Sequence, residues 1–262
     1  MTKIEITFNA LKALYNSTNG NQWVNNNGWD FSQIPDNMEA FNEWFGISVK
    51  NDKLIKICLL NNILAGPIPP EIGDLTDLKM LGLDQNDLNG SIPKEIGNLK
   101  DLIYLSLACN RLTGIIPVEI TNLKELSYID LYHNKLEGSI PIKIGNLTNL
   151  VSFVLSRNYL TGTIPSDIKN LTNLTRLDMF LNDLTGEIPE ISNMENLIWL
   201  DLNNNNLTGK ISSKIGNLTE LDYLDLSDNN LTGEIPPEIW RLPKMDYLDL
   251  SGNNLTGTIS TE

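Results

Sequence analysis

The chain is poor in the residues that carry most enzyme and metal chemistry. Among its 262 residues there is one histidine, His133, and there are two cysteines, Cys58 and Cys109. Two cysteines cannot build a disulfide framework. There is no Cys-x-x-Cys, no Gly-rich phosphate loop and no Gly-x-Ser-x-Gly elbow, so no catalytic, cofactor or metal site is expected. Positive charge is scarce too: 19 Lys and Arg stand against 33 Asp and Glu, a net charge of −14. A chain of that sign repels phosphate, which excludes nucleic acid as a partner. No apolar run approaches the roughly 18 residues a membrane helix needs, so no membrane insertion is expected. Met1 to Gly20 shows no basic region followed by an apolar block, so no signal peptide is visible. A native start at Met1 then implies a cytoplasmic protein, and a leader removed upstream implies a secreted or cell-surface one.

Leucine and asparagine are what the chain has in excess, 42 and 35 residues, more than a quarter of the whole. A register explains both. Leu54, Leu78, Leu102, Leu126, Leu150 and Leu174 follow one another at 24 residues, Leu197 follows after 23, and Leu221 and Met245 resume the step of 24. Every unit repeats the frame L-x-x-L-x-L-x-x-N-x-L-x-G-x-I-P-x-x-I-G-N-L-x-x. The units run 54–77, 78–101, 102–125, 126–149, 150–173, 174–196, 197–220, 221–244 and an incomplete 245–262, with a non-repeating region over 1–53. Unit six (GEIPEISNMENL) is one residue short after Pro189. A deletion of this kind falls in a loop and is expected to leave the strands in register.

Each frame position has a physical reason. L-x-x-L-x-L alternates with period two, which makes a short strand with Leu inward. Stacked strands form a parallel sheet on one side of a coil. The frame Asn, from Asn62 to Asn253, can satisfy backbone groups left unpaired by a tight turn, so its copies should form a ladder. The frame Gly, from Gly66 to Gly257, permits a bend that other residues resist. Ile-Pro starts an extended stretch, and x-x-I-G-N-L reads as a 3₁₀ turn on the convex side.

This pattern resembles the leucine-rich repeats, and L-T-G-x-I-P resembles their plant-type subclass, found in receptor ectodomains and cell-wall inhibitor proteins. The resemblance covers residues 54–262 and implies an α/β solenoid. Its expected form is a right-handed superhelix with a parallel sheet on the concave face and 3₁₀ and extended segments on the convex face. The implied function is non-catalytic protein–protein recognition. Before the repeats, residues 4–15 place Ile4, Phe8, Leu11 and Leu14 on one helical face, and Gly20 is expected to end that helix. Trp23, Trp29 and Trp44 supply apolar surface, Phe45–Val49 reads as a strand and Asn51-Asp52 as a turn. Together they make the cap a solenoid core requires. The string A-L-Y-N-S-T-N-G resembles caps of microbial repeat proteins, and the cysteine pair common in plant caps is absent.

Function is expected on the outward strand positions, where neighbours are the same position one unit on, about 4.8 Å away. The third position forms an aromatic stripe of Tyr104, Tyr128, Trp199, Tyr223 and Tyr247, with Arg176 among them. The fifth forms an acidic column of Asp130, Asp178, Asp201, Asp225 and Asp249, interrupted by Val154. Asp222, Asp228 and Asp246 add acid in units seven to nine, which favours a basic partner there. Scaffold accounts for part of this, because L-D-L-S is the default spelling of the repeat, and a Tyr column also packs across strands. The departures are more telling: Tyr132, His133, Val154, Arg157, Phe180 and Leu181 place exposed aromatic, aliphatic and basic groups where the frame prefers Ser, Asp or Asn. Exposed aromatic, aliphatic and Arg groups mark binding sites.

Other readings follow from the same arrays. Aromatic rows also stack on sugars, so a carbohydrate or cell-surface ligand is the alternative. The row Thr113, Thr161, Thr185, Thr208, Thr232 and Thr256 raises ice or surface adsorption. Asp178, Asp201, Asp225 and Asp249 offer oxygens to calcium. Asp130, His133 and Ser156 form an imaginable Ser/His/Asp set, without the dry pocket such chemistry needs. Asn146, Asn170 and Asn254 open glycosylation sequons that the N-L-T frame creates by itself. Finally, the repeats stop inside unit nine at Thr258–Glu262 without a closing cap, so pairing with a second copy through that end is a further expectation.

Overall fold

The computed structural model describes residues 1–257. The expectations that fall on residues 258–262 lie outside the described residues. A helix over Lys3–Ser17 opens the chain. Thr2 caps it: the Thr2 hydroxyl accepts from the Glu5 N–H at 3.3 Å while the Glu5 carboxylate accepts from the Thr2 N–H at 2.6 Å, a reciprocal pair that satisfies two otherwise free donors. Its end corrects the expectation. Asn19, not Gly20, takes the left-handed conformation, at φ 56°. Gly20 is required for space instead, because a Cβ there would lie 2.1 Å from the Tyr15 ring. Phe8, Leu11, Leu14, Trp23, Trp29 and Trp44 are buried together. The Trp23 and Trp29 rings meet edge to face at 4.8 Å, a favoured aromatic geometry.

The strand Ile47–Lys50 pairs antiparallel with Lys53–Cys58. Asn51 and Asp52 turn between them, both at positive φ, as a two-residue hairpin requires. From there eight further strands join in parallel, one per unit, and the resulting ten-stranded sheet follows chain order from Ile47–Lys50 to Tyr247–Asp249. The short unit six does not disturb it: Arg176 pairs with Trp199 and Asp178 with Asp201. The deletion appears on the other side. Short 3₁₀ helices stand at Pro70–Asp74, Lys94–Asn98, Val118–Asn122 and equivalent places in later units, but none lies between Glu187 and Trp199. A cavity of about 30 Å³ is left there between Ile188, Ile191, Leu200, Ile211, Ile215 and Leu226.

A second sheet runs along the flank, with five parallel strands from Thr113–Ile115 to Asn206–Thr208 and two-stranded pairs beyond each end. The frame Gly makes its bend. Gly138 sits at φ +74°, where an added Cβ would meet Ile115 Cγ2 at 2.8 Å. One apolar core extends from Phe8 to Leu242, and its strand leucines, such as Leu81, Leu105 and Leu224, are fully buried.

The asparagine ladder is formed, and each step stitches two units. Asn134 Oδ1 accepts from the Leu112 N–H at 3.0 Å, and its Nδ2 donates to the Leu107 and Leu131 carbonyls at 3.0 and 3.2 Å. Leu107 and Leu112 belong to the preceding unit, so the side chain serves backbone groups on both sides of the joint. The pattern recurs from Asn86 to Asn253.

Candidate binding face

In-register parallel strands place like residues one above another, and flat rings at that spacing stack. Tyr104 and Tyr128 are parallel within 5° at 4.5 Å, and Tyr223 and Tyr247 are parallel within 5° at 4.4 Å. Trp199 lies between Tyr223 and Arg176, whose guanidinium sits 4.7 Å above the indole. Only Ser152, small and buried, interrupts the ladder. The stacking has a chemical consequence. Each inner ring spends both faces on its neighbours and shows its edge to solvent, so the ladder offers few free faces for a sugar ring.

Beside the ladder runs the acidic column. Asp178, Asp201 and Asp225 are buried at 2%, 4% and 6% exposure. Their exposure on the face, expected from the alternation, is corrected here: they are buried among neighbouring side chains. Val154, expected as an exposed aliphatic, is likewise buried. Local donors hold the carboxylates. Asp225 accepts from the Ser227 N–H at 2.9 Å and hydroxyl at 2.6 Å. Asp201 accepts from the Asn203 side chain at 2.6 Å, and Asp130 accepts from the Tyr132 N–H at 2.9 Å. This is the Asx turn, in which Asp binds the backbone two residues on, and it explains the L-D-L-S spelling. Asp178 is held by Arg176 at 2.6 Å and by the Ser156 hydroxyl. Burial, then the facing Asp178 and Asp225, pushes the Asp201 carboxyl up to about 7. Burial also raises Asp130. Asp249, near the end of the column, is held below the usual range by the Ser251 hydroxyl and N–H.

Two chemistries raised by the sequence are not assembled. Ser156 is fully buried and donates to Asp178, away from His133. The oxygens of the Asp column are taken by Arg176, Ser156, Asn203, Ser227 and Ser251. Among the described residues no group of three His, Cys, Asp or Glu is placed to hold a metal.

A notch of about 470 Å³ opens in the middle of the face, lined by Tyr128, Tyr132, Arg176 and Phe180 with Ser152 and Val154 as its floor. It exists because unit five carries small residues at three outward positions between bulky ones in units four and six. Tyr132 and Phe180 lean toward each other over Ser156, with centroids 6.3 Å apart. Arg157 lies 5.6 Å from the Phe180 ring.

Beside the notch the strand ends form a groove of about 550 Å³, lined among others by Arg111, His133, Lys135, Arg157, Tyr159 and Leu181. The eighth unit position forms its rail. Gln85, Cys109, His133, Arg157 and Leu181 all hold φ between 52° and 56°, and Asn204 and Asp228 continue the line at 51°. Asn and Asp adopt this left-handed form readily, whereas a Leu or Arg there costs about 1 kcal/mol or more. Sequence reading identified His133, Arg157 and Leu181 but missed Arg111, Lys135 and Tyr159. Their signal was the tenth unit position, which turns basic and aromatic in units three to five. At the far ends of the second-sheet strands, Ile115, Val118 and Ile142 expose an apolar trough of about 1260 Å³.

Comparison with known proteins fits this geometry. Residues 76–136 and 195–255 match the family described as Leucine rich repeat, and residues 149–171 match a second description of that name. The chain is a plant-type leucine-rich-repeat protein. Among solved structures, this leucine-rich-repeat chain is similar to the ectodomain of the Arabidopsis thaliana membrane receptor kinase GASSHO1/SCHENGEN3 in complex with CASPARIAN STRIP INTEGRITY FACTOR 2. Identity is 31%, TM-score 0.90, and the match covers 98% of this chain and 30% of that one. It is similar to the plant peptide hormone receptor RGFR1 in complex with RGF2, at 42% identity and TM-score 0.75, over 76% of this chain and 32% of that one. It therefore spans about a third of the length of these receptors' chains. A plant ice-binding protein matches at 28% identity and TM-score 0.73, over 98% of this chain and 89% of that one. No curated protein matches the chain.

Proposed function

We propose that this leucine-rich-repeat chain is a non-catalytic recognition module that binds a protein partner on its concave face. The contact centres on units four to six, through Tyr128, Tyr132, His133, Arg157, Arg176, Phe180 and Leu181. Tyr104, Trp199, Tyr223 and Tyr247 border it, and the Asp130, Asp178, Asp201, Asp225 and Asp249 carboxylates beside them hold the ladder in place. The observation that carries this reading is the notch with its strained rail: residues unsuited to a left-handed backbone are kept there, side chains outward. Strain of this kind concentrates at functional sites. RGFR1, a plant peptide hormone receptor seen in complex with RGF2, supports a ligand of the same class.

The test is selection of displayed random twelve-residue peptides on the full chain. Selected binders are expected to lose at least tenfold in affinity on the Tyr132→Ala/Phe180→Ala variant, with its thermal unfolding unchanged. Binders indifferent to that variant would place recognition elsewhere.

One further reading is favoured by a specific observation. Thr113, Thr161, Thr185 and Thr208 stand exposed on the second sheet and Thr232 on the strand pair beyond it, and the ice-binding protein matches nearly end to end. Glu137 interrupts the row. Thermal hysteresis in the full chain, lost on Thr185→Lys, would establish ice adsorption in place of peptide recognition. Pairing of two copies through the half-buried Leu248, Leu250 and Leu255 is tested by light scattering, where a strictly monomeric mass at high concentration removes it.

A further inference from the structure

The negative charge is unevenly placed. Residues 54–173 carry ten Lys and Arg against twelve Asp and Glu, whereas residues 174–262 carry five against fifteen. The groove translates this division into a sequence of groups along one rail. At its upstream end are Arg111, His133, Lys135 and Arg157, and the groove holds one acid, Asp87. Asp87 already faces Arg111 at 2.7 Å. Among the described residues, neither Lys135 nor Arg157 forms an ion pair. Leu181 follows, 41% exposed beside the notch. Then come Asn204 and Asp228, both exposed. Asp228 also forms no ion pair among the described residues, and the next rail position, Gly252, has no side chain to cover it. Asp222 and Asp246 add exposed charge to the same end of the sheet.

Taking the concave face as the recognition surface, we infer that its ligand is an extended amphoteric peptide segment lying along this rail. An acidic side chain meets Arg157 and Lys135, an apolar side chain enters beside Leu181 and Phe180, and a basic side chain meets Asp228. The spacing follows from the sheet. Arg157 and Asp228 are three units apart, about 14 Å at roughly 4.8 Å per strand. An extended chain advances about 3.3–3.6 Å per residue, so the acid and the base are about four residues apart, with the apolar residue nearer the acid because Leu181 lies one unit from Arg157 and two from Asp228. Charge complementarity of this kind fixes register and suppresses wrong partners more than it adds affinity. A uniformly basic ligand meets repulsion at Arg157, and a uniformly acidic one meets it at Asp228.

The probe is the displayed twelve-residue library selected on the full chain. Binders are expected to share an acidic and a basic residue about four positions apart around a Leu, Phe or Tyr, and to weaken at least fivefold between 50 and 300 mM salt. Selection on Arg157→Glu should replace the acid with a second base. Selection on Asp228→Lys should replace the base with a second acid. Both positions are exposed, and far-ultraviolet circular dichroism with unchanged thermal unfolding confirms that the variants fold. Binders that need Tyr132 and Phe180 but show no charge pattern, or keep the same pattern on both variants, would overturn this inference and leave the concave-face reading standing. Binders indifferent to Tyr132 and Phe180 would overturn both.

Discussion

Trp199 and Tyr223 lie face to face, ring centroids 3.6 Å apart and 1° from parallel, two residues before the buried Asp201 and Asp225 on the same paired strands. The Tyr223 hydroxyl donates to Asp225 at 3.4 Å, and burial together with Asp178 and Asp225 lets Asp201 hold its proton to about pH 7 against an ordinary value of 3.8. An acid whose pKa is higher folded than unfolded binds its proton more tightly in the folded chain. Its ionisation therefore costs stability progressively as pH rises from about 4 to about 7. Asp201→Asn keeps the acceptor for Asn203 and removes the charge. The variant should match the parent at pH 4 and exceed it at pH 8 by on the order of 1–4 kcal/mol, the upper figure being the whole displacement at about 1.4 kcal/mol per pKa unit. Urea unfolding at the two pH values measures this, and equal curves at pH 8 would show that Asp201 ionises freely.

The ladder of asparagines predicts a gradient along the solenoid. Asn134→Ala strands the Leu112 N–H inside the core and takes one of two amide donors from the Leu107 carbonyl, which Asn110 still serves, and a buried group left unpaired costs about 1–3 kcal/mol. A loss of about 3 kcal/mol is expected. Asn253 makes the same bonds, but one acceptor, the Ser251 carbonyl, lies at the exposed surface. Water can replace the side chain there, so Asn253→Ala should cost about 1 kcal/mol or less. Urea unfolding of the two variants makes the comparison, and equal losses would contradict the ladder's role in joining units.

The repeat made most of this fold legible before any coordinates. Period-two leucines mark strands, and a shared register marks a parallel sheet, because both depend on backbone geometry that every unit repeats. Three features were hidden for physical reasons. Alternation says which face a side chain takes but not how it leans, so the burial of Asp178 and Asp201 among their neighbours could not be read. The left-handed rail is a backbone property, and Arg157 or Leu181 announces it only by standing where Asn would fit better. The loss of the 3₁₀ helix in unit six came from a deletion whose place was visible but whose effect on the convex turn was not.

Ser156 gives a prediction that separates structure from chemistry. Its hydroxyl donates to Asp178, which is 2% exposed and otherwise held by Arg176. Ser156→Ala removes one of two supports from a buried charge and should cost about 1–3 kcal/mol. His133 is exposed and has no hydrogen-bonded link to Ser156 beyond the backbone. His133→Ala should leave stability unchanged within about 0.5 kcal/mol. Coupled losses, with a double variant no worse than Ser156→Ala alone, would point to a relay the geometry does not contain.

Leu181 brings strain and recognition together. The residue holds φ 52° and is 41% exposed, so much of a leucine that resists this conformation stays in water. Asn takes the same position in unit seven, at Asn204, with φ 51°. Leu181→Asn should therefore stabilise the chain by about 0.5–1 kcal/mol, because the left-handed cost falls while much of the leucine already lies in water. Arg157→Asn should act in the same direction. Both changes remove groups from the rail, so both should weaken the peptides selected on the parent. Thermal unfolding and fluorescence anisotropy on the same samples read the two effects. Stability that rises while affinity falls identifies a position kept for binding at the expense of the fold. Stability that falls on Leu181→Asn would show that the leucine is held by packing, and the strained rail would then be no guide to the site.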